Sequence, residues 1–254
     1  MRFVVLFLLV ASAWGAESSF ASKAKELDAV LAAKKSEEAE SLIEDLVAAY
    51  PDAAPEEQKA AIKSIGKAAA SKQESTRHAA FDALAQLKEK GSSKYIKRWL
   101  SPPAKGVVAE SHIKAIQTAG TIADKTTLAL LRKLSDHKQL AVAFEATKAL
   151  GGYRRHSTKI RKQLAIALIK RMEKSQPSNV SRGRRPGASQ STRRDTDDMG
   201  PSRGGQGGDD RAARRNRLTY GSRLALVELT GKEYSTVAEW SSWRKRAKKM
   251  KNPF

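Results

Sequence analysis

Histidine is the residue type of this chain best suited to acid–base catalysis or metal binding, and its four copies are scattered. They fall in different helices or turns, and we expect none of them to have a second histidine or an acidic residue placed as a metal ligand. The four are His78, His112, His137 and His156. The chain has no cysteine, which excludes disulfides, thiolate zinc sites and a cysteine nucleophile. We therefore predict no metal, no cofactor and no catalytic residue.

Motifs for nucleotide binding and nucleophilic catalysis are also missing. No glycine-rich phosphate loop follows a strand pattern, and no serine stands in a Gly-x-Ser-x-Gly elbow. We predict a protein that is not an enzyme and has no small-molecule substrate. An enzyme with an unusual site is the alternative.

A cluster of basic residues after Tyr153 is a stronger candidate for function. We predict that it forms a basic ridge at the C-terminal end of a helical array, where it could bind an anionic partner. Its members are Arg154, Arg155, Lys159, Arg161, Lys162, Lys170, Arg171 and Lys174. Each lysine or arginine that displaces a counterion from a polyanion adds to the salt dependence of binding. A solvated face without a partner is the alternative.

A tryptophan pair, Trp240 and Trp243, is the second candidate, as a docking site. The two lie one helical turn apart, and basic residues follow them. Tryptophan beside lysine and arginine is typical of helices that lie on an anionic membrane. Tryptophan also packs between helices, and the preceding helix, with leucines between 224 and 229, offers a partner for such core packing.

The net charge of +21 is unevenly distributed along the 254 residues. Residues 1–57 carry 5 basic and 11 acidic side chains, whereas the net charge is +10 for 58–150, +7 for 151–174 and +10 for 175–254. Since almost everything after the first helix pair is basic, we expect an anionic partner. Lysine that only maintains solubility is the alternative.

The N-terminus is typical of a secretory signal peptide, which we assign to residues 1–16. A basic start, Met1-Arg2, precedes the apolar run FVVLFLLVA and small residues. Cleavage could follow Ala13, Gly15 or Ala16. The run is shorter than the roughly 20 apolar residues that span a bilayer. We therefore predict export to the periplasm, the cell envelope or the medium, with an uncleaved anchor or a buried first helix as alternatives.

Two interleaved ladders of apolar residues predict a repeated helix pair between residues 55 and 174. The first recurs every 34 residues, at Ile62, Ile96, Leu130 and Leu164. The second steps by 32 and 31 residues and is followed each time, two positions later, by alanine. It consists of Phe81, Ile113 and Phe144, with Ala83, Ala115 and Ala146. Units of two helices that cannot fold alone stack into an α-solenoid.

Helix-start signals support this division of the chain. Three four-residue sequences have the form of a capping box or approach it, beginning at Ser71, Asp136 and Thr236. Before the repeats, residues 17–54 predict an acidic helical hairpin. Because one face of a terminal unit meets water, we interpret this hairpin as an N-terminal cap.

Thr126 to Tyr153, TTLALLRKLSDHKQLAVAFEATKALGGY, resembles a HEAT repeat. The segment has a leucine-rich first helix, Asp136 at the turn and an A-x-x-A-L-G ending, and HIKAIQTAG, from His112 to Gly120, echoes that ending. The resemblance covers about half of the chain and implies an armadillo-like α-solenoid. It does not imply an activity, since HEAT arrays serve as scaffolds, adaptors and sometimes nucleic-acid binders.

The C-terminal third predicts two further segments. Residues 175–210 are rich in glycine, serine, proline and arginine, which predicts a disordered linker. Residues 211–254 predict a C-terminal helical hairpin that carries the tryptophan pair. ALVELTGKEYSTVAEWSSWRKRAKK resembles a recurrent C-terminal module of exported bacterial HEAT-repeat proteins.

Together these features predict an all-α protein: a short α-solenoid of HEAT-like pairs, a linker and a hairpin. The functional hypothesis is a monomeric, exported, non-catalytic scaffold for a protein partner. Binding of a polyanion or an anionic membrane through the ridge and the linker is the alternative hypothesis.

Overall fold

The computed structural model describes residues 19–89, 91–103, 106–176 and 206–254. The predicted signal peptide, and residues 177–205 of the predicted linker, lie outside this range. The described residues form eleven α-helices, a few short 3₁₀ turns and no β-strand. The predicted all-α fold is thus confirmed. The helices fall into two compact units, Met1–Arg98 and Trp99–Phe254.

The first unit contains five helices that pack in series. Their bounds are α1 Phe20–Ala32, α2 Ser36–Ala49, α3 Pro55–Ala68, α4 Glu74–Leu87 and α5 Ser93–Ile96. α1 packs on α2 and α3 packs on α4, while α1 also contacts α3 and α2 contacts α4. First helices therefore lie beside first helices and second helices beside second helices, as stacked pairs require.

The second unit, taken by itself, also contains packed helix pairs and one row of second helices. Its helices are α6 Glu110–Ile122, α7 Lys125–Leu134, α8 Leu140–Ala149, α9 Thr158–Ser175, α10 Gln206–Thr230 and α11 Val237–Lys249, with a 3₁₀ segment at Leu150–Arg155. α7 packs on α8 and α9 on α10, and the second helices α6, α8 and α10 form one row.

The two ladders occupy less uniform places than their spacing suggests. In the second ladder, the alanines are buried on the second helices α4, α6 and α8: Ala83, Ala115 and Ala146. In the first ladder Ile96 and Leu164 are buried, whereas Ile62 and Leu130 are half-buried next to the buried residues Ile65 and Leu131. α5 has only four residues, so it cannot repeat the geometry of the longer first helices.

Only one of the three capping signals works as predicted. Thr236 caps α11, where its hydroxyl accepts a hydrogen bond from the Glu239 amide at 3.2 Å and the Glu239 carboxylate accepts one from the Thr236 amide at 2.8 Å. α4 and α8 instead begin three and four residues after the predicted caps, Ser71 and Asp136. Ser71 accepts a bond from the Gln73 amide at 3.1 Å, and Asp136 pairs with Arg171 at 3.2 Å. Because their side chains make these other contacts, Ser71 and Asp136 do not cap α4 and α8.

The partners of α10 and α11 differ from the predicted C-terminal hairpin. α10 packs on α8 and α9, so that it completes the pair begun by α9, and α11 packs principally on α9. Gly221 on α10 lies against Phe144 of α8, where an added Cβ would meet the ring at 3.0 Å. The missing side chain lets α10 approach α8 closely.

α11 runs antiparallel to α9. Near the start of α11 the Ser241 hydroxyl bonds the Glu173 carboxylate, at the end of α9. At the other end Lys162 donates hydrogen bonds to the carbonyl oxygens of Met250 at 2.7 Å and Lys248 at 3.3 Å. α11 therefore packs along the length of α9.

Within the described ranges, no helix has the length and apolar character that crossing a membrane requires.

Candidate binding surfaces

The histidines lie apart, each with its own local contact. His112 Nδ1 is 2.7 Å from the carbonyl oxygen of Trp99, and His137 Nδ1 accepts a bond from the Gln139 amide at 3.2 Å. His156 contacts the carbonyl of Ala123.

His78 departs from the sequence-based expectation, because its Nε2 lies 3.6 Å from Glu74, an acidic residue one turn earlier on α4. In the part of the chain that the structure describes, no group of three histidine or acidic side chains could hold a metal ion.

The predicted basic ridge is divided by the structure, since three of its eight members bind backbone carbonyls at helix ends. Arg161 donates to the Leu229 carbonyl from Nε at 3.1 Å and from Nη2 at 2.7 Å, and its guanidinium lies 4.0 Å from the centre of the Phe254 ring. Lys162 binds the end of α11 as described above. These side chains satisfy carbonyls that a helix end leaves without partners.

Arg171 is the third inward-facing member. It donates to the Ser135 carbonyl at the end of α7 and to the Thr147 hydroxyl at 3.3 Å, and it pairs with Asp136. Burial lowers the pKa of Arg171, and the nearby Asp136 carboxylate opposes that shift. These contacts join α9 to α7 and α8, so Arg171 stabilises the array.

The other five members of the ridge are exposed to solvent: Arg154, Arg155, Lys159, Lys170 and Lys174. Lys159, Lys170 and Lys174 share the solvent side of α9, together with Gln163 and Ala167. These five residues are the part of the predicted anion site that a ligand can reach.

Tyr153 belongs to the core rather than to this site. Its ring is fully buried, and its hydroxyl donates to the Asp124 carbonyl at 2.8 Å and lies 2.9 Å from the Thr127 hydroxyl. Burial raises the pKa of Tyr153 to about 12. It holds the 3₁₀ segment against the start of α7.

Replacing Arg161 with alanine should destabilise the second unit by about 2 kcal/mol, since hydrogen bonds from a charged donor and a cation–π contact are lost together. Lys159→Ala, on the same helix but facing solvent, should change the stability by less than about 0.5 kcal/mol. Urea unfolding followed by circular dichroism measures both. An equal loss in the two variants would contradict the division of the ridge.

The tryptophan pair is buried, with exposed fractions of 0% for Trp240 and 4% for Trp243. Tyr234 meets Trp240 edge-on at 4.8 Å between ring centres, Trp240 meets Trp243 at 6.2 Å, and Trp243 lies 5.9 Å from Phe254. The rings form the core between α11 and the array. Of the two alternatives, core packing is what the structure adopts, with α9 rather than α10 as the main partner helix.

A different exposed cluster lies on α8 and α10, and no motif of the sequence indicates it. The rings of Phe144 and Tyr220 stack with 6.4 Å between centres and 10° between planes, and the Arg217 guanidinium lies 5.2 Å from the Phe144 ring centre. Tyr220 is 56% exposed. We call these three residues the aromatic–arginine cluster.

Hydrogen bonds near the cluster join α10 and α6 to α8 and the turn before it. Arg214, one turn before Leu218 on α10, donates hydrogen bonds of 2.6 Å to the carbonyls of His137 and Lys138 in the turn before α8. Beside the cluster, Gln117 of α6 donates to Glu145 of α8 at 3.1 Å. The spacing of Arg217 and Tyr220 is visible in the sequence, but their contact with Phe144 arises only in the fold.

No protein-family model, curated protein or solved structure matches the chain. The class that the structure defines is an all-helical, solenoid-like protein with helices packed in series. The HEAT resemblance stays a prediction.

Proposed function

We propose that the protein is an exported, non-catalytic helical-repeat scaffold that binds a protein partner on the row formed by α6, α8 and α10. The observation that carries the proposal is the aromatic–arginine cluster, a set of partly exposed rings and a guanidinium on packed helices. Tyrosine and arginine are enriched among the residues that dominate protein–protein binding energies.

The geometry of the cluster favours binding because its members are already ordered. The Phe144 ring is held between Gly221, Tyr220 and Arg217, so little side-chain entropy remains to be lost on association. The Gln117–Glu145 pair offers polar groups at the edge of the same surface. Ordered aromatic anchors with polar neighbours are the usual composition of an interface.

A photo-crosslinking residue tests the surface directly when it replaces Tyr220 in the full chain. In the cell envelope it should crosslink to one protein partner, and the same reagent at Arg132, exposed on α7, should not. Arg217→Ala should then weaken capture of that partner at least about tenfold. The matched control is Arg215→Ala, an exposed arginine two residues earlier on α10.

Equal crosslinking from both positions, or an Arg217→Ala variant that retains full affinity, would refute the proposed surface. Purified protein that turned over a soluble metabolite would refute the non-catalytic proposal. The export proposal rests on residues 1–16, and N-terminal sequencing of the mature chain tests it: an intact Met1 in the cytoplasm would exclude it.

Binding of an anionic polymer or surface is the second candidate function. Residues 99–254 contain 33 lysines and arginines against 13 acidic residues, whereas residues 1–98 contain 15 against 14. Nearly the whole net charge therefore belongs to the second unit, where it attracts anions over about 10 Å at 0.1 M salt. Binding that persists unchanged in high salt would argue against this candidate.

A further inference from the structure

The packing of α11 on α9 brings together basic residues that are far apart in the sequence. Ser241 and Arg244 of α11 both contact Glu173 of α9, the second at 2.9 Å. Residues three or four positions apart share one side of a helix. Lys245 and Lys248 therefore lie on the same side of α11 as Ser241 and Arg244, along the contact with α9.

The solvent side of α9 lies next to the contact between α9 and α11. Lys170 lies one turn before both Glu173 and Lys174, and Lys159 lies one turn before Lys162, which binds the end of α11. We define the basic face as the six exposed lysines along this contact: Lys159, Lys170, Lys174, Lys245, Lys248 and Lys249.

The two carboxylates beside the basic face already bind other residues of the protein. Glu173 pairs with Arg244 and accepts a bond from Ser241, and Glu239, at the first turn of α11, caps its own helix through Thr236. Hydrogen bonds from the amide and hydroxyl of Thr236 lower the pKa of Glu239, so it stays ionised and held there. The six ammonium groups are thus not matched by carboxylates of the same two helices.

The chemistry of this face is that of a general anion-attracting surface. Lysine predominates along this contact, with the exposed Arg246 of α11 as an exception, and lysine acts as a hydrated point charge that lacks the planar fork by which arginine recognises single phosphates. Trp240 and Trp243 are buried beneath the helix and cannot enter a bilayer. Two helices side by side, about 27 Å and about 20 Å long and about 10 Å apart, present a surface of low relief.

We propose that the basic face binds reversibly to the surface of an anionic phospholipid bilayer, without insertion of a helix. A broad, low surface of lysines suits a flat array of phosphate headgroups. Single-stranded nucleic acid would be better served by exposed aromatic rings for base stacking, and the aromatic residues of α11 are buried. The inference rests on the second candidate function and not on the protein-binding surface.

Cosedimentation of the full chain with vesicles tests this proposal. The protein should bind vesicles of phosphatidylcholine with about one third phosphatidylglycerol, and not vesicles of phosphatidylcholine alone, with affinity falling steeply as salt rises. Changing Lys170, Lys245 and Lys248 together to glutamine should weaken binding roughly 100-fold, at about fivefold per lysine.

The matched control changes Lys125, Lys138 and Lys148 to glutamine, which removes the same charge from α7, the turn after it and α8. It should weaken binding less than about fivefold, and circular dichroism should show both triple variants folded. Equal losses in the two variants would overturn the basic face. Binding to duplex DNA but not to anionic vesicles would overturn the membrane proposal and leave the second candidate function intact.

Discussion

Trp240→Ala is expected to destabilise the second unit by about 4 kcal/mol, because a fully buried indole is replaced by a cavity. Trp240 contacts Tyr234 and Trp243, so its loss also removes edge-on aromatic contacts. Chemical denaturation followed by circular dichroism measures the change in the free energy of unfolding.

Two controls accompany this variant. Trp240→Phe keeps a ring in the site and should cost clearly less than alanine. Ser242→Ala, at an exposed position two residues away, should change stability by less than about 0.5 kcal/mol. A Trp240→Ala variant as stable as Ser242→Ala would mean that α11 does not pack on the array as described.

Gly152→Ala is expected to cost about 3 kcal/mol, since the new methyl group would collide with the Gly120 carbonyl oxygen. That oxygen belongs to the backbone and cannot swing away, unlike the end of a side chain. The conformational gain of a glycine-to-alanine change in the unfolded state, about 0.4–1 kcal/mol, is too small to offset such a clash. Thermal unfolding of the full chain measures the difference.

The reciprocal variant and a milder one define the cause. A Cβ on Gly120 would lie 2.6 Å from the Ala149 Cβ and 2.7 Å from its Cα, so Gly120→Ala should also be strongly destabilising. In Gly221→Ala the new Cβ would meet the Phe144 ring at 3.0 Å and 3.1 Å, which can shift, and the Phe144 carbonyl oxygen at an ordinary 3.6 Å, so about 1 kcal/mol is expected. If Gly152→Ala and Gly120→Ala lost no more stability than Gly221→Ala, the close backbone contact at Gly120 would be disproved.

The two proposed surfaces of the second unit use different chemistry and can be tested independently. The aromatic–arginine cluster depends on packed rings and should bind with little salt dependence, whereas the basic face depends on charge that salt screens. The lysine triple variant should therefore retain the crosslinked protein partner. A protein that held a partner and an anionic bilayer together would act as an envelope scaffold.

Local features of the sequence determined the helices. Apolar spacing, proline at Pro55 and the Thr236 capping box depend on contacts within a few residues, so they predicted helix positions well. The overall charge and the lack of thiol chemistry follow from composition alone. The basic residues and the tryptophan pair are also visible in the sequence, because they cluster along the chain.

The tertiary structure alone decided what those residues do. Periodicity places Arg161 and Lys159 on one helix but does not say which one meets a neighbouring carbonyl, because that depends on the partner helix. α10 joins α8 and α9 across residues 177–205, which places Tyr220 beside Phe144, while the packing of α11 on α9 buries the tryptophans. Local signals indicate where a helix lies, whereas its stability, its burial and the surface it presents are set by which helices meet.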